Sequence, residues 1–280
     1  MTYLAEDAKK IIPKPIRFLL RYSFFYIRDT IDLLLGRRDS LTPPIRLMFH
    51  GTSDILTFKK NGEDFLQDCI RLAELKPYEK ILDVGCGIGE KTVPLTKYLN
   101  ENSIYEGLDI VKTGIDWCRK RISSKYPNFH FELIDVYNKH YNVKGKYKAS
   151  EYKFPFQNES FDFVILASVF THMLPEDMEN YFSEVVRVLK KGGRCLITFF
   201  LLNKQSSKLI ETKKSTMDFR YPLGKHRLMN QNILEAAICY DESFVLSLYE
   251  KYRLRKTVYY GSWCGRKSFL RYQDYIIAQK

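Results

Sequence analysis

The chain reads as an α/β protein built on a doubly wound sheet, and three observations predict it. Ile81-Leu82-Asp83-Val84 is a short apolar run that breaks into Gly85-Cys86-Gly87-Ile88-Gly89, with a helix-like segment from Glu90 to Leu99 behind it. That is a strand, a tight turn and a helix N-terminus, the arrangement that brings backbone N–H groups close to a nucleotide-like ligand. Ile104 to Ile110 is a second strand-like run carrying Asp109 at its end, and Phe129 to Val136 alternates like a third and carries Asp135.

Residues 1–50 precede this core as a helical extension. Pro13 and Pro15 flank Lys14, and residues 16–35 then read as one helix rich in aliphatic and aromatic side chains. Arg17, Arg21, Arg28 and Asp32 recur at helical period as a single polar stripe,. Arg28 and Asp29 near its middle make it a poor membrane span. The pattern is that of an amphipathic helix, lying either on a membrane interface or over the mouth of the site. Gly36-Arg37-Arg38 ends it and Pro43-Pro44 marks a bend.

The main domain is expected over residues 51–280. Gly62 to Leu75 reads as the helix ahead of the first strand, and Asp116 to Ser124 falls in the helix after the second. Residues 138–160 form a polar, tyrosine-rich link closed by Phe154-Pro155-Phe156, and Ser160 to Ala167 is a fourth strand. Pro175 opens a helix with Glu176 and Asp177 in its first turn, where carboxylates favour the helix dipole,. It runs to about Leu189, and Gly192-Gly193 turns into a fifth strand, Arg194 to Leu201. Residues 202–238 look irregular, an insertion over about 202–240 at the strand carboxyl ends, where caps over binding sites grow. Asp241 to Leu254 is the next helix. Thr257 to Tyr260 and Tyr272 to Ala278 suit a closing hairpin.

With 280 residues, 45% hydrophobic and 28% charged, the chain can hold one full α/β domain with additions, or at most two small domains,. Six scattered cysteines without C-x-x-C pairs suit buried thiols in a reducing compartment better than disulfides or zinc,. No secretory leader pattern is visible, so a cytoplasmic protein is expected, peripheral to the inner face of a membrane if the first helix binds one. The formal net charge of +12 is unevenly placed. Residues 51–201 balance 21 basic against 21 acidic side chains, residues 1–50 hold 9 against 5, and residues 202–280 hold 15 against 7. A basic excess confined to the ends favours an anionic acceptor, an anionic membrane surface or nucleic acid, and is equally met by a solvated basic surface.

The glycine spacing is G-x-G-x-G, not the G-x-G-x-x-G of dinucleotide binders. Asp109, 20 residues after Gly89, is placed to accept from both hydroxyls of a ribose,. Asp135 is an acceptor suited to an exocyclic amine.

On these residues the chain resembles the class I S-adenosylmethionine-dependent methyltransferases. Asp83 to Gly89 matches their first motif, Asp109 their ribose-binding acid, and Asp135-Val136 their adenine-contacting pair. Ser160 to Ala167 matches the fourth strand, and Val188 to Ile197 the helix-to-fifth-strand turn. The likeness covers residues 60–201 and, more weakly, the C-terminal strand pair. It implies a Rossmann-like seven-stranded sheet with an antiparallel C-terminal strand, and S-adenosyl-L-methionine as cofactor. The contacts it implies come from Asp83, Gly85, Cys86, Gly87, Gly89, Asp109, Ile110, Asp135, Val136 and Ser168.

Methyl transfer is an in-line displacement, and a hydroxyl acceptor must also lose its proton. His172, in the turn after the fourth strand, is the leading base. Its alternative is a histidine that bonds the turn or lines the pocket without moving a proton. His226 is a second candidate, expected at the surface. Asp241 and Glu242 favour a helix dipole or hold polar groups of the acceptor, and Asp162 is structural. No residue spacing argues for a metal. Ser168 to Leu202 resembles a subgroup that modifies sugars, which implies O-methylation of a saccharide or glycolipid, an anionic or lipid-linked glycan included. The alternative is a small-molecule methyltransferase for quinones or natural products, with the apolar N-terminus closing over the acceptor. An RNA methyltransferase has only the basic ends behind it, without an RNA-binding module. A catalytically silent cofactor-binding partner protein is opposed by the intact glycine turn and the three acids.

Overall fold

The computed structural model describes residues 14–48 and 54–280. Helix α1 (Lys14–Leu34) precedes the main domain and stops where Gly36 takes a φ of 64°. Helix α2 (Ile55–Ala73) starts before the expected Gly62 because Asp54 caps it, accepting the Thr57 amide at 2.9 Å. That satisfies one of the orphan donors of the first turn.

The core then alternates strand and helix: β1 (Lys80–Val84), α3 (Thr92–Tyr98), β2 (Ile104–Asp109), α4 (Lys112–Cys118) running on into a π turn (Arg119–Ser123), β3 (Phe129–Leu133), β4 (Phe161–Leu166), α5 (Pro175–Val188) and β5 (Leu189–Phe199). With the closing strands β10 (Arg255–Tyr259) and β11 (Asp274–Gln279), one seven-stranded sheet forms in the order β10-β11-β5-β4-β1-β2-β3. Strand β11 is antiparallel to both neighbours and all other pairs are parallel. This is the Rossmann-like sheet that the resemblance implies.

Side chains alternate across it with a period of two. Ile81, Phe163, Ile165 and Leu196 pack with Phe65 and Cys69 of α2, Leu95 of α3 and Ile115 of α4. Leu82, Val84, Val164 and Leu166 face the other way, onto Phe182 and Val185 of α5 and onto Val245 and Tyr249 of α7 (Glu242–Lys251). Covering both faces is what lets parallel strands be apolar throughout. Each large side chain so buried stabilises the fold by about 1.5–3 kcal/mol before entropy is counted.

Further sequence expectations change. Strand β5 begins at Leu189, not Arg194, and the Gly192-Gly193 bend lies within it. Gly192 has a φ of 76°, and its amide and the Gly193 carbonyl bond the main chain of the last residue, Lys280, at 2.9 and 3.0 Å. The segment read as irregular holds β6 (Leu201–Leu202), α6 (Lys204–Glu211), β7 (Tyr221–Leu223), β8 (His226–Leu228) and β9 (Ile238–Asp241), the strands joined as a second sheet in the order β6-β9-β8-β7. It packs on its own core of Phe200, Phe219, Cys239, Trp263 and Cys264. His226, expected at the surface, is 7% exposed and stands within that sheet.

All six cysteines are free and buried. Cys69, Cys86 and Cys118 lie in the core under α2–α4, Cys195 in the opposite one, and Cys239 and Cys264 in the third. Among the described residues no helix is long and apolar enough to cross a membrane. The sheet order reverses between β1 and β4, which opens a crevice beyond their carboxyl ends,.

Candidate functional site

That crevice is a cavity of about 1240 Å³. The turn after β1 makes its floor. Gly85, Gly87 and Gly89 all take positive φ, at 82°, 58° and 85°, a region that side chains with a Cβ enter at a cost. A Cβ on Gly85 would lie 2.4 Å from Val169 Cγ2, whereas one on Gly87 would meet nothing within 4 Å. Gly85 is therefore demanded by packing, and Gly87 leaves its face of the turn clear. The amides of Gly85 and Cys86 donate to the Leu108 carbonyl at 2.7 and 3.1 Å, tying the turn to the end of β2.

Asp109 closes β2 one residue further on. Its Oδ2 accepts the Gly87 amide and its Oδ1 the Val111 amide, both at 2.7 Å. Burial pushes its pKa up, and the Val111, Gly87 and Ile110 amides oppose that.

Of the residues expected to touch a cofactor, Gly85, Cys86, Gly87, Asp109, Ile110, Val136 and Ser168 line the cavity. Three do not. Asp83 points into the protein, where Tyr105 Oη donates to it at 2.6 Å, and burial lifts its pKa to about 6. Gly89 supports the helix behind the turn, where a Cβ would stand 3.1 Å from Ile122 Cδ1 and 3.2 Å from Cys118 Sγ, tighter than ordinary van der Waals contact. Asp135 turns outward, its carboxylate 3.8 Å from Lys146 Nζ, and leaves the wall to Ile134 and Val136. The alternation of a strand end explains this: neighbours point opposite ways.

Ser168 follows β4 with a φ of 62°, an uncommon conformation for a residue with a side chain,. It is held there by β5 and the C-terminal strand. Its amide donates to Thr198 Oγ1 at 2.7 Å, and Ser168 Oγ and Thr198 Oγ1 both donate to Gln273 Oε1, at 2.9 and 2.7 Å. Thr198 and Gln273 also line the cavity. Neither carries a local pattern that would have singled it out.

His172 stands on the wall, at the end of a short 3-10 turn (Phe170–His172). Its Nδ1 is 2.9 Å from the Glu235 carbonyl oxygen and its Nε2 is 3.4 Å from Tyr141 Oη. A carbonyl only accepts, so in the neutral ring Nδ1 carries the proton and Nε2 is the acceptor nitrogen, facing the Tyr141 hydroxyl,. Tyr141 comes from the tyrosine-rich link, with its pKa raised by burial to about 12. It is thus a protonated phenol at neutral pH. His226 does not line the cavity. Both its ring nitrogens are buried without a hydrogen-bond partner, and burial lowers its pKa. Asp162 is structural as expected, accepting the Lys80 amide and Lys190 Nζ. Asp241 and Glu242 are also off the wall.

The remaining wall mixes apolar and acidic groups. Met48, Phe58, Phe200, Met217 and Met229 supply the apolar part. Asp64, Glu90, Asp109, Glu151, Glu176, Asp177 and Glu235 outnumber Lys91, Lys148 and Arg271, and Arg271 is paired with Asp68 and Asp64. The basic excess of the chain therefore lies outside the cavity. Among the described residues no group of three or more His, Cys, Asp or Glu side chains could hold a metal ion.

Residues 82–197 match the family described as methyltransferase domain. The chain is 34% identical over 120 residues to phthiotriol/phenolphthiotriol dimycocerosates methyltransferase 1 of Mycobacterium ulcerans, covering 43% of this chain and 37% of that one. It is 31% identical over 124 residues to the ubiquinone/menaquinone biosynthesis C-methyltransferase UbiE of Wigglesworthia glossinidia brevipalpis, covering 44% of each. The chain spans less than half the length of these curated relatives. In fold it is similar to the PH0226 protein of Pyrococcus horikoshii OT3, with a TM-score of 0.56, 18% identity, and coverage of 87% of this chain and 96% of that one.

Proposed function

The chain carries a class I S-adenosylmethionine-dependent methyltransferase domain, and on that premise we propose that it methylates a hydroxyl of an apolar, lipid-like small molecule. The observation that carries this reading is that the glycine turn with Asp109, the His172 imidazole and the apolar side chains Met48, Phe58, Phe200, Met217 and Met229 all line one cavity. Two of the relatives are named as a phthiotriol/phenolphthiotriol dimycocerosates methyltransferase and a ubiquinone/menaquinone biosynthesis C-methyltransferase.

The floor fits S-adenosylmethionine. The open face of Gly87 leaves room for a ligand against the backbone,. Each Asp109 oxygen takes one amide and keeps a lone pair for a ribose hydroxyl,. Ile110, Ile134 and Val136 offer an apolar slot for a base. Bound there, the cofactor would supply an electrophilic methyl group on a sulfonium.

The chain's own work is positioning and proton removal. Glu235 fixes the His172 ring through its carbonyl, which leaves Nε2 as the acceptor nitrogen. His172 Nε2 would take the proton of an acceptor hydroxyl that displaces the Tyr141 hydroxyl now facing it,. The Met and Phe side chains exclude water around the acceptor.

A saccharide acceptor is the second reading. Glu176 and Asp177 on the wall are the kind of acceptors that sugar hydroxyls use, whereas the acid excess there disfavours an anionic glycan,. The test is transfer of a labelled methyl group from S-adenosylmethionine into a cell extract. Label entering the organic phase supports the lipid-like acceptor, label confined to water-soluble saccharide supports the second reading, and label in neither refutes both.

A further inference from the structure

We propose that α1 is a docking element for an anionic lipid bilayer, which sets the cavity mouth against the membrane surface. The polarity of this helix is the reverse of a helix packed on a core. Its carboxylates face inward: Asp29 and Asp32 are buried. Most of its large apolar side chains face outward, with Phe24 54%, Ile27 60%, Ile31 45% and Leu34 80% exposed, and Leu35 just beyond its end 59% exposed. These five fall at i, i+3, i+7, i+10 and i+11, one continuous stripe along the helix. A helix that merely covered the site would turn that stripe inward.

The inward face holds the helix through Phe25, packed on the cluster of Ile45, Met48, Ile55 and Phe58, and through the two carboxylates. Asp29 accepts the Ile45 amide at 2.5 Å and the Arg46 guanidinium at 3.0 Å. That fixes the short turn Ile45–Leu47, and Leu47 and Met48 belong to the cavity wall. The same buried carboxylate therefore joins the outward stripe to the cavity wall. Charge selects the occupant. Residues 8–38 carry eight Lys and Arg against two acids, Asp29 and Asp32, and both acids are spent on internal contacts. An apolar stripe within a basic segment suits a bilayer with anionic headgroups, where both terms add. The proposal deepens the lipid-acceptor reading, since an acceptor dissolved in the bilayer would enter at that mouth.

The experiment is flotation of the full chain with phosphatidylcholine vesicles, with and without phosphatidylglycerol, at low and physiological salt. The parent should float with the mixed vesicles, more weakly as salt rises. Ile27→Glu/Ile31→Glu, both changes on exposed positions, should weaken flotation roughly tenfold or more, with S-adenosylhomocysteine affinity measured by calorimetry unchanged. A parent chain that stays unbound at low salt overturns the proposal, and so does a double variant that floats like the parent. A parent that sediments as a dimer and does not float, alongside a monomeric variant, assigns the stripe to a second copy and overturns it as well. Failure of cofactor binding in the parent would instead strike the methyltransferase reading and leave the vesicle result standing.

Discussion

The Asp109 carboxylate holds the Gly87 amide at 2.7 Å, so the acid at the end of β2 shapes the turn after β1. Asp109→Ala removes both this restraint and the charged acceptor for a ribose. S-adenosylmethionine affinity should fall by about 1.5–3 kcal/mol, roughly ten- to hundredfold. Calorimetry on the folded variant measures it, and unchanged affinity would take Asp109 out of the binding site.

The glycines of the turn should separate by mechanism. Gly85→Ala sets a Cβ 2.4 Å from Val169 and should destabilise the fold, seen as a large drop in Tm,. Gly87→Ala meets no atom of the protein, so its stability loss should stay near the backbone cost of about 1–2 kcal/mol,. Its cofactor affinity should drop far more than its stability. Equal losses in both variants would show that Gly87 too is a packing residue.

His172→Ala should reduce turnover about a hundredfold or more with cofactor affinity nearly intact. The limb of the pH–rate profile that reports the base should vanish. Tyr141→Phe keeps the ring against His172 and deletes only the hydroxyl, so its effect should be milder. Near-normal turnover of His172→Ala at saturating acceptor would make His172 a wall residue and point to an acceptor that needs no base.

Asp83 makes a prediction about pH. Burial holds its folded-state pKa at about 6, against 3.8 when exposed, with the Tyr105 hydrogen bond opposing the rise. Between those values the folded chain binds a proton that the unfolded chain has released, so this group's contribution to stability falls as pH climbs from about 4 to about 6. The gap corresponds to roughly 3 kcal/mol. Asp83→Asn has no charge to desolvate. Urea unfolding at several pH values should show the variant gaining on the parent as pH rises to 7, and a constant difference would place the Asp83 pKa at its ordinary value.

The strands β1 to β4 and their terminal acids were legible because each is a buried run closed by a turn residue, a signal contained in fewer than ten neighbours. The second sheet was hidden because its strands are two to four residues long, too short to display an alternation. Ser168 and Gln273 lie 105 residues apart and meet only when β11 pairs with β5. No local pattern announces such a contact. Asp83 and Asp109 both close apolar runs beside the turn, yet one faces Tyr105 and the other the cavity. That difference is set by strand pleat, which motif spacing does not record. The polar stripe of α1 shows the converse: Arg17 and Arg21 of the expected stripe lie outside the residues whose side chains are described, while Asp29, beside the stripe, is the residue that anchors the helix.

The six shielded thiols give the native chain a built-in set of reporters. Burial raises their pKa, that of Cys195 and of Cys239 to about 12, so little thiolate exists at neutral pH and alkylation must wait for a region to open. Three separate interiors hold them. The order in which a small alkylating reagent marks Cys239 and Cys264, then Cys195, then Cys69, Cys86 and Cys118, or any other order, is therefore a timetable of which layer breathes first. Adding cofactor should delay Cys86 and Cys118 selectively, because Cys86 belongs to the glycine turn and Cys118 sits behind it, against the Gly87 carbonyl.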